Sequence, residues 1–124
     1  MERDMDLIRE LLLRIASNPE TTGMREFLYD TPEELGIHGY PVETVAYHIE
    51  LLIEDGLIKG AITAGSPLHI IRRLTSRGHD FVDNIRDAGI WGKTKKRLSD
   101  LPGVSLAVIG KIAEAEILKH LGLT

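Results

Sequence analysis

The clearest pattern in the chain is an apolar stripe that ends at a glycine. Between residues 42 and 53, apolar side chains recur three or four positions apart, which is the spacing of one face of an α-helix. The stripe consists of Val42, Val45, Ala46, Ile49, Leu52 and Ile53. Gly56 can adopt the left-handed conformation that ends a helix. We therefore predict a helix that begins near residue 42 and ends just before Gly56.

Two β-prone runs follow this glycine. Residues 57–63 and 68–74 are rich in apolar side chains, and the four residues between them contain glycine and proline. Two such runs joined by a short loop predict a β-hairpin. Helix, glycine and hairpin in this order are typical of a winged helix-turn-helix, in which the helix is the recognition helix and the hairpin is the wing. The predicted fold is mostly α, in the α+β class: a winged helix-turn-helix with a two-stranded wing and additional C-terminal helices.

Two helices are expected before the recognition helix. Asp4 or Asp6 can cap the first. Its apolar stripe consists of Met5, Ile8, Leu11, Leu12 and Ile15. Thr31 and Pro32, followed by two glutamates, combine a cap, a proline at the first helical position and acidic residues in the first turn, which predicts a short second helix. Between these helices, residues 20–30 are expected to form an edge strand or an ordered loop.

Three helices are predicted after the hairpin. Thr75 can cap the first of them, and Gly78 within it indicates close packing, with the first helix of the chain as the candidate neighbour. Residues 92–101 form the most basic helix, which Trp91 is expected to anchor. Ser105 can cap the last helix. The apolar stripe of that helix consists of Leu106, Ile109, Ala113, Ile117 and Leu121.

Length and composition favour a single soluble domain. The chain has 124 residues and no cysteine, so it can bury a core without disulfides and has no thiolate metal ligands. The N-terminus lacks the uninterrupted apolar run of a signal peptide or membrane helix. We therefore expect a cytoplasmic protein without a membrane partner. Residues 1–89 would form the winged-helix core, and residues 90–124 a helical extension packed on it.

The charge is divided unevenly along the chain. Residues 1–58 contain 4 Lys/Arg and 13 Asp/Glu, a net charge of −9, whereas residues 59–124 contain 11 and 6, a net charge of +5. A basic second half is suited to an acidic partner such as nucleic acid. The alternative is that the acidic half packs on the basic half.

The exposed side of the predicted recognition helix offers few groups for DNA. Thr44, Tyr47 and His48 are the residues there that could contact base edges. Glu43, Glu50 and Glu54 lie on the same side and are unfavourable next to a polyanion. Direct reading of a DNA sequence by this helix alone is therefore the weaker expectation.

Cations on and after the hairpin are better suited to DNA. In winged-helix proteins the wing and flanking basic residues hold phosphates. The candidate phosphate ligands are Lys59, Arg72, Arg73, Arg77, Lys93, Lys95, Lys96 and Arg97. For residues 93–97 the alternative is an ordinary solvated helix face.

No residue pattern indicates catalysis. His79 and Asp83 lie one helical turn apart, but the chain has no HExxH, no glycine-rich phosphate loop and no GxSxG. A histidine that hydrogen-bonds an aspartate one turn away is the ordinary interpretation. We therefore expect neither an enzyme nor a bound metal or cofactor.

Three segments together resemble a known family. They are RDMDLIRELLLRI at residues 3–15, VAYHIELLIEDGLIKG at 45–60 and RLTSRGHDFVDNIRDAGIWGKTKKRL at 73–98. They are similar to the bacterial and phage-associated family of domain of unknown function 2513. This resemblance implies a small winged-helix protein and brings no activity, ligand or catalytic residue with it.

These observations favour a winged-helix binding protein that is similar to transcriptional regulators. Its expected partner is double-stranded DNA, and the last helix would support a homodimer because two-fold DNA sites are usually bound by dimers. The alternative is a winged helix used for protein contacts, in which the acidic face of residues 42–55 binds a basic protein.

Overall fold

The computed structural model describes residues 1–18, 26–101 and 103–123. In this part of the chain, five α-helices and a two-stranded antiparallel sheet confirm the mostly α, α+β class. The helices are α1 (Met5–Ser17), α2 (Val42–Glu54), α3 (Ser76–Ile85), α4 (Ala88–Leu98) and α5 (Leu106–His120). The strands are β1 (Ile58–Ala61) and β2 (Ile70–Leu74), and Pro32–Leu35 forms a 3₁₀ helix. The chain divides into two compact units, Met1–His79 and Asp80–Thr124.

Helix α1 begins as its sequence predicts. Asp4 is the cap, and its Oδ1 accepts a hydrogen bond of 3.1 Å from the backbone N–H of Leu7. This bond satisfies one of the donors that a helix start leaves without a partner inside the helix. The buried side chains of α1 are Leu7, Ile8, Leu11, Leu12 and Ile15.

The segment predicted as an edge strand or loop is described only from residue 26 onward; residues 20–25 lie outside the described residues. Phe27 forms an isolated antiparallel bridge with Ile71 of β2, with backbone hydrogen bonds of 2.8 and 3.1 Å. Farther on, Thr31 caps the predicted short helix, which is the 3₁₀ helix, and Gly36 ends it at a φ of 79°.

Helix α2 has the predicted limits but a different buried face. Gly56 has a φ of 75°, and Leu57 N–H donates to Leu52 O at 2.9 Å, which closes the helix end. The buried residues are Val45, His48, Ile49 and Leu52. The expectation that Val42, Ala46 and Ile53 belong to the buried face is wrong, because these three side chains are only half-buried.

Helix α3 is held against the end of α2. The hydroxyl of Thr75 donates to Gly56 O and accepts from Gly78 N–H at 3.0 Å, which confirms Thr75 as a cap. A Cβ at Gly78 would overlap the carbonyl oxygen of Leu57. The close packing predicted at Gly78 is therefore present, but its neighbour is Leu57 and not α1.

The second unit contains α4 and α5. Helix α4 begins at Ala88, earlier than predicted, because Asp87 Oδ1 accepts from Ile90 N–H at 2.8 Å. Ser105 caps α5 as expected, with Val108 N–H as the donor. The expectation that Leu121 is in the apolar stripe of α5 is wrong, since it follows the helix and is 62% exposed.

Candidate nucleic-acid interface

His48 does not face outward as the sequence suggested. Its side chain has no exposed surface. Its Nε2 accepts the backbone N–H of Asp4 at 2.8 Å, and its Nδ1 lies 2.8 Å from Thr44 O. Since Nε2 accepts, the proton is on Nδ1 and is donated to that carbonyl. His48 therefore joins the start of α1 to α2 and is not available to contact a base edge.

Tyr40 belongs to the same network. Its hydroxyl donates to Asp4 Oδ2 at 3.2 Å. The Asp4 carboxylate therefore accepts one hydrogen bond from Tyr40 and another from the backbone of α1. Burial, followed by the negative charge of Asp4, raises the pKa of the Tyr40 phenol above its ordinary value. The network holds the N-terminal residues beside the turn that precedes α2.

The Tyr40 bond predicts a stability effect that depends on pH. Tyr40→Phe should lower the free energy of unfolding by about 1 kcal/mol at neutral pH, because the hydroxyl bond is lost. Since the pKa is higher in the folded state, this contribution is present below about pH 10 and is lost as the phenol ionises. Urea unfolding at several pH values should show the two proteins converging above that pH. A difference that grows with pH would contradict this assignment.

Thr44 and Tyr47 remain on the accessible part of α2. Both side chains are half-buried. The Tyr47 ring lies edge-on to the His48 ring, with 5.7 Å between centroids and an interplanar angle of 84°. Of the carboxylates that the sequence identified on this helix, Glu43 and Glu54 are exposed and Glu50 is half-buried.

The β-hairpin has a bulge, and three cationic residues lie at or next to it. Lys59 lies opposite Arg73 while Gly60 lies opposite Ile71, so Arg72 is an additional residue in β2. We refer to Lys59, Arg72 and Arg73 as the bulge cluster. In a regular strand, residues three positions apart lie on opposite faces. Because of the bulge, Ile71 and Leu74 are both buried, and the two arginines between them are both partly exposed.

Gly60 permits this bulge. A Cβ at Gly60 would overlap the carbonyl oxygen of Ile70, so the two backbones approach more closely than any other residue allows. Gly60 was not among the residues singled out from the sequence. Its signal was a lone glycine inside a β-prone run, which is typical of a bulge.

Two of the arginines have side chains that lie close to backbone in or next to the hairpin. Arg73 Nη1 donates to Leu74 O at 2.8 Å, which holds the guanidinium along β2. Arg77, in the first turn of α3, is exposed, and its Nη1 lies 3.6 Å from the position of a Cβ at Gly56. The structure therefore places Lys59, Arg72, Arg73 and Arg77 on the hairpin and the helix that directly follows it.

The predicted cations of α4 are all exposed, but two of them have local roles. Arg97 Nη1 lies 3.1 Å from Oε1 of Glu116, whose side chain is only 8% exposed, so this pair joins α4 to α5. The ammonium of Lys95 lies 5.9 Å from the centroid of the buried Trp91 ring. Lys93 and Lys96 are the cations of this helix for which we assign no such role.

The described residues form neither a metal-binding cluster nor a membrane-spanning helix. Among the described residues, no group of three or more His, Asp or Glu side chains is placed to hold a metal ion. Within the same residues, no helix is both long enough and apolar enough to cross a bilayer.

Comparison with known proteins agrees with the sequence resemblance. Residues 2–105 match the family described as "Hypothetical protein (DUF2513)". The chain belongs to this family. It is also similar to an "Uncharacterized protein" of Haemophilus influenzae, with 35% identity over 98% of this chain and 99% of the relative. No solved structure matches. The DUF2513 match includes α1 to α4 and ends just before α5.

Proposed function

We propose that this DUF2513 chain is a winged-helix protein that binds double-stranded DNA through its β-hairpin and is not an enzyme. The winged-helix interpretation is supported by the order α2, Gly56, β1, β2, with the 3₁₀ helix and a turn before α2. The DNA-binding role is supported by the cations that the hairpin presents. Proteins of this architecture hold DNA phosphates with such groups.

The observation that carries the proposal is the cross-strand pair of Lys59 and Arg73. Like charges directly opposite one another destabilise a two-stranded sheet. The adjacent bulge adds Arg72 to the same region and so increases the local positive charge. An anion bound at this place would relieve the repulsion, and the evenly spaced phosphates of a duplex supply such anions.

Helix α2 has a smaller part in this proposal. Its exposed carboxylates, Glu43 and Glu54, disfavour close approach to phosphates. With His48 buried, Thr44 and Tyr47 are the residues of α2 that we retain as candidate base contacts. Lys93 and Lys96 of α4 are retained as additional phosphate ligands. The hairpin is therefore the principal contact, and the binding should depend little on DNA sequence.

A two-fold DNA site would require two copies of the chain. We propose α5 and the residues after it as the dimer surface, because Val108 and Leu121 are 43% and 62% exposed. The cytoplasmic location and the association with phages stay predictions. Both are compatible with a DNA-binding role.

Lys59→Glu separates DNA binding from folding. The new carboxylate would lie opposite Arg73 and replace a repulsion by an attraction, so the folded state should be as stable as the native protein or more stable by about 0.5 kcal/mol. DNA affinity at about 50 mM salt should nevertheless fall about tenfold or more, and the slope of log K against log salt should decrease by about 1. Fluorescence anisotropy with a labelled duplex measures both quantities.

The matched control is Arg86→Glu, which makes the same charge change at an exposed position between α3 and α4, away from the proposed dimer surface. It should retain most of the affinity. If the two variants lose affinity equally, or if the native protein does not bind the duplex at low salt, the proposed function is wrong. Lys59→Glu together with Arg73→Glu should lower the affinity further, by about a hundredfold relative to the native protein.

A further inference from the structure

The exposed side of α2 forms one wall of a shallow groove in the N-terminal unit. The groove has a volume of about 490 Å³. Its lining residues are Met1, Val42, Glu43, Ala46, Tyr47, Glu50 and Pro67. Five of them belong to α2 and follow the three- and four-residue spacing of a single helix face. This face is separate from the one that His48 and Ile49 bury in the core.

The floor of the groove is apolar. Because α2 turns His48 into the core, it leaves the apolar side chains of Val42 and Ala46 on its accessible side. Val42 and Ala46 would be covered if the helix packed as its apolar stripe suggests, but both are half-buried and line the groove instead. Tyr47 and Pro67 extend the apolar surface toward the hairpin loop. Apolar side chains grouped in an accessible concave surface are typical of a binding site for another apolar group.

The rim of the groove is acidic. Glu43 and Glu50 lie two helical turns apart on the same face, with Ala46 and Tyr47 between them. Glu50 Oε2 lies 3.8 Å from Nε2 of His69 in the hairpin loop, which positions the carboxylate beside Pro67. His69 has a φ of 65°, a conformation that costs a residue other than glycine about 1 kcal/mol or more. No lysine or arginine is among the lining residues.

We infer that this groove binds a basic segment of another protein, one that inserts an apolar side chain between flanking lysines or arginines. The apolar floor would hold the inserted side chain, and the carboxylates of Glu43 and Glu50 would pair with the flanking cations. The same two carboxylates repel phosphates, so the groove disfavours DNA. Charge complementarity thus assigns DNA and the protein partner to different surfaces of one unit, namely the bulge cluster and the groove.

Binding of defined peptides tests this inference. The first probe is a fluorescein-labelled helical peptide built from leucine and lysine. A second peptide has serine in place of leucine, and a third has glutamate in place of lysine. The native protein should bind only the leucine–lysine peptide measurably, because the groove requires both an apolar group and cations. The amide signals that shift in NMR spectra should be those of residues 42–50 and the hairpin loop around Pro67.

Two groove variants and one control define the site. Glu43→Lys should lower the affinity for the leucine–lysine peptide about tenfold, because it reverses a charge on the rim. Ala46→Trp should lower this affinity by a similar factor, because the larger side chain fills the floor without changing any charge. Glu54→Lys makes the same charge change on an exposed part of α2 outside the groove. It should change the affinity less than about threefold, because Glu54 does not line the groove and an exposed ion pair contributes little free energy.

Four results would overturn the inference. Equal binding of the serine–lysine peptide would show that charge alone is recognised. Equal losses in Glu43→Lys and Glu54→Lys would remove the groove from the contact. Shifts of the amide signals of residues 42–50 on addition of duplex DNA without peptide would assign the groove to DNA. Self-association of the protein that the peptide abolishes would assign it to a second copy of the chain. None of these results depends on whether Lys59→Glu impairs DNA binding, so this inference and the proposed function can fail separately.

Discussion

Replacing His48 by alanine should lower the free energy of unfolding by about 3 to 5 kcal/mol, since it leaves a cavity in the core and leaves the Asp4 amide without its acceptor. The side chain has no exposed surface, and both ring nitrogens make hydrogen bonds of 2.8 Å. A loss of this size is a large part of the stability of a small domain. Urea unfolding, followed by circular dichroism, measures it.

His48→Gln is the matched variant. The amide oxygen of glutamine can accept the Asp4 N–H, so the loss of stability should lie between those of the native protein and His48→Ala. An alanine variant within about 1 kcal/mol of the native protein would contradict the buried bridge, because such a change is typical of a surface position. In that case His48 would return to the candidate base contacts.

Replacing Gly60 by alanine should cost about 3 kcal/mol and should also weaken DNA binding. The added Cβ would overlap the carbonyl oxygen of Ile70, so the strands must separate or the bulge must straighten. Straightening would shift the side chains of one strand to the other face, which would expose Ile71 or Leu74 and disperse the bulge cluster. Thermal unfolding and duplex binding of the same variant measure the two effects.

Gly65→Ala is the control within the same hairpin. A Cβ at Gly65 would lie 3.4 Å from Thr63 Oγ1, and its backbone has no positive φ. This variant should therefore unfold and bind DNA almost as the native protein does. If Gly60→Ala behaves in the same way, the close approach of β1 and β2 at the bulge is not required for the fold or for binding.

The candidate site could be predicted only in part. The sequence placed four cations on or beside the hairpin, and the structure has them there. It did not indicate that Arg72 is an additional residue in β2, or that Gly60 permits the bulge. Strand register depends on how two backbones pair, and a change of one residue is not visible in a run of apolar and basic side chains.

The burial of His48 had a signal that the apolar stripe concealed. His48 lies three residues after Val45 and four before Leu52, so it shares a helix face with both. A polar residue at such a position is ordinarily assigned to solvent. Its burial requires two hydrogen-bond partners, and one of them, Asp4, is 44 residues away in the sequence.

The sequence by itself determined where α1, α3 and α5 begin and where α2 ends. Asp4, Thr75 and Ser105 cap the predicted helices, and Gly56 ends α2, because each of these features depends on residues within about four positions. Only the tertiary structure decided which side of α2 is buried and which side lines the groove. It also decided that the bulge leaves Arg72 and Arg73 both partly exposed. Those choices depend on contacts such as Asp4 with His48 and Gly60 with Ile70, whose partners come together only when the chain has folded.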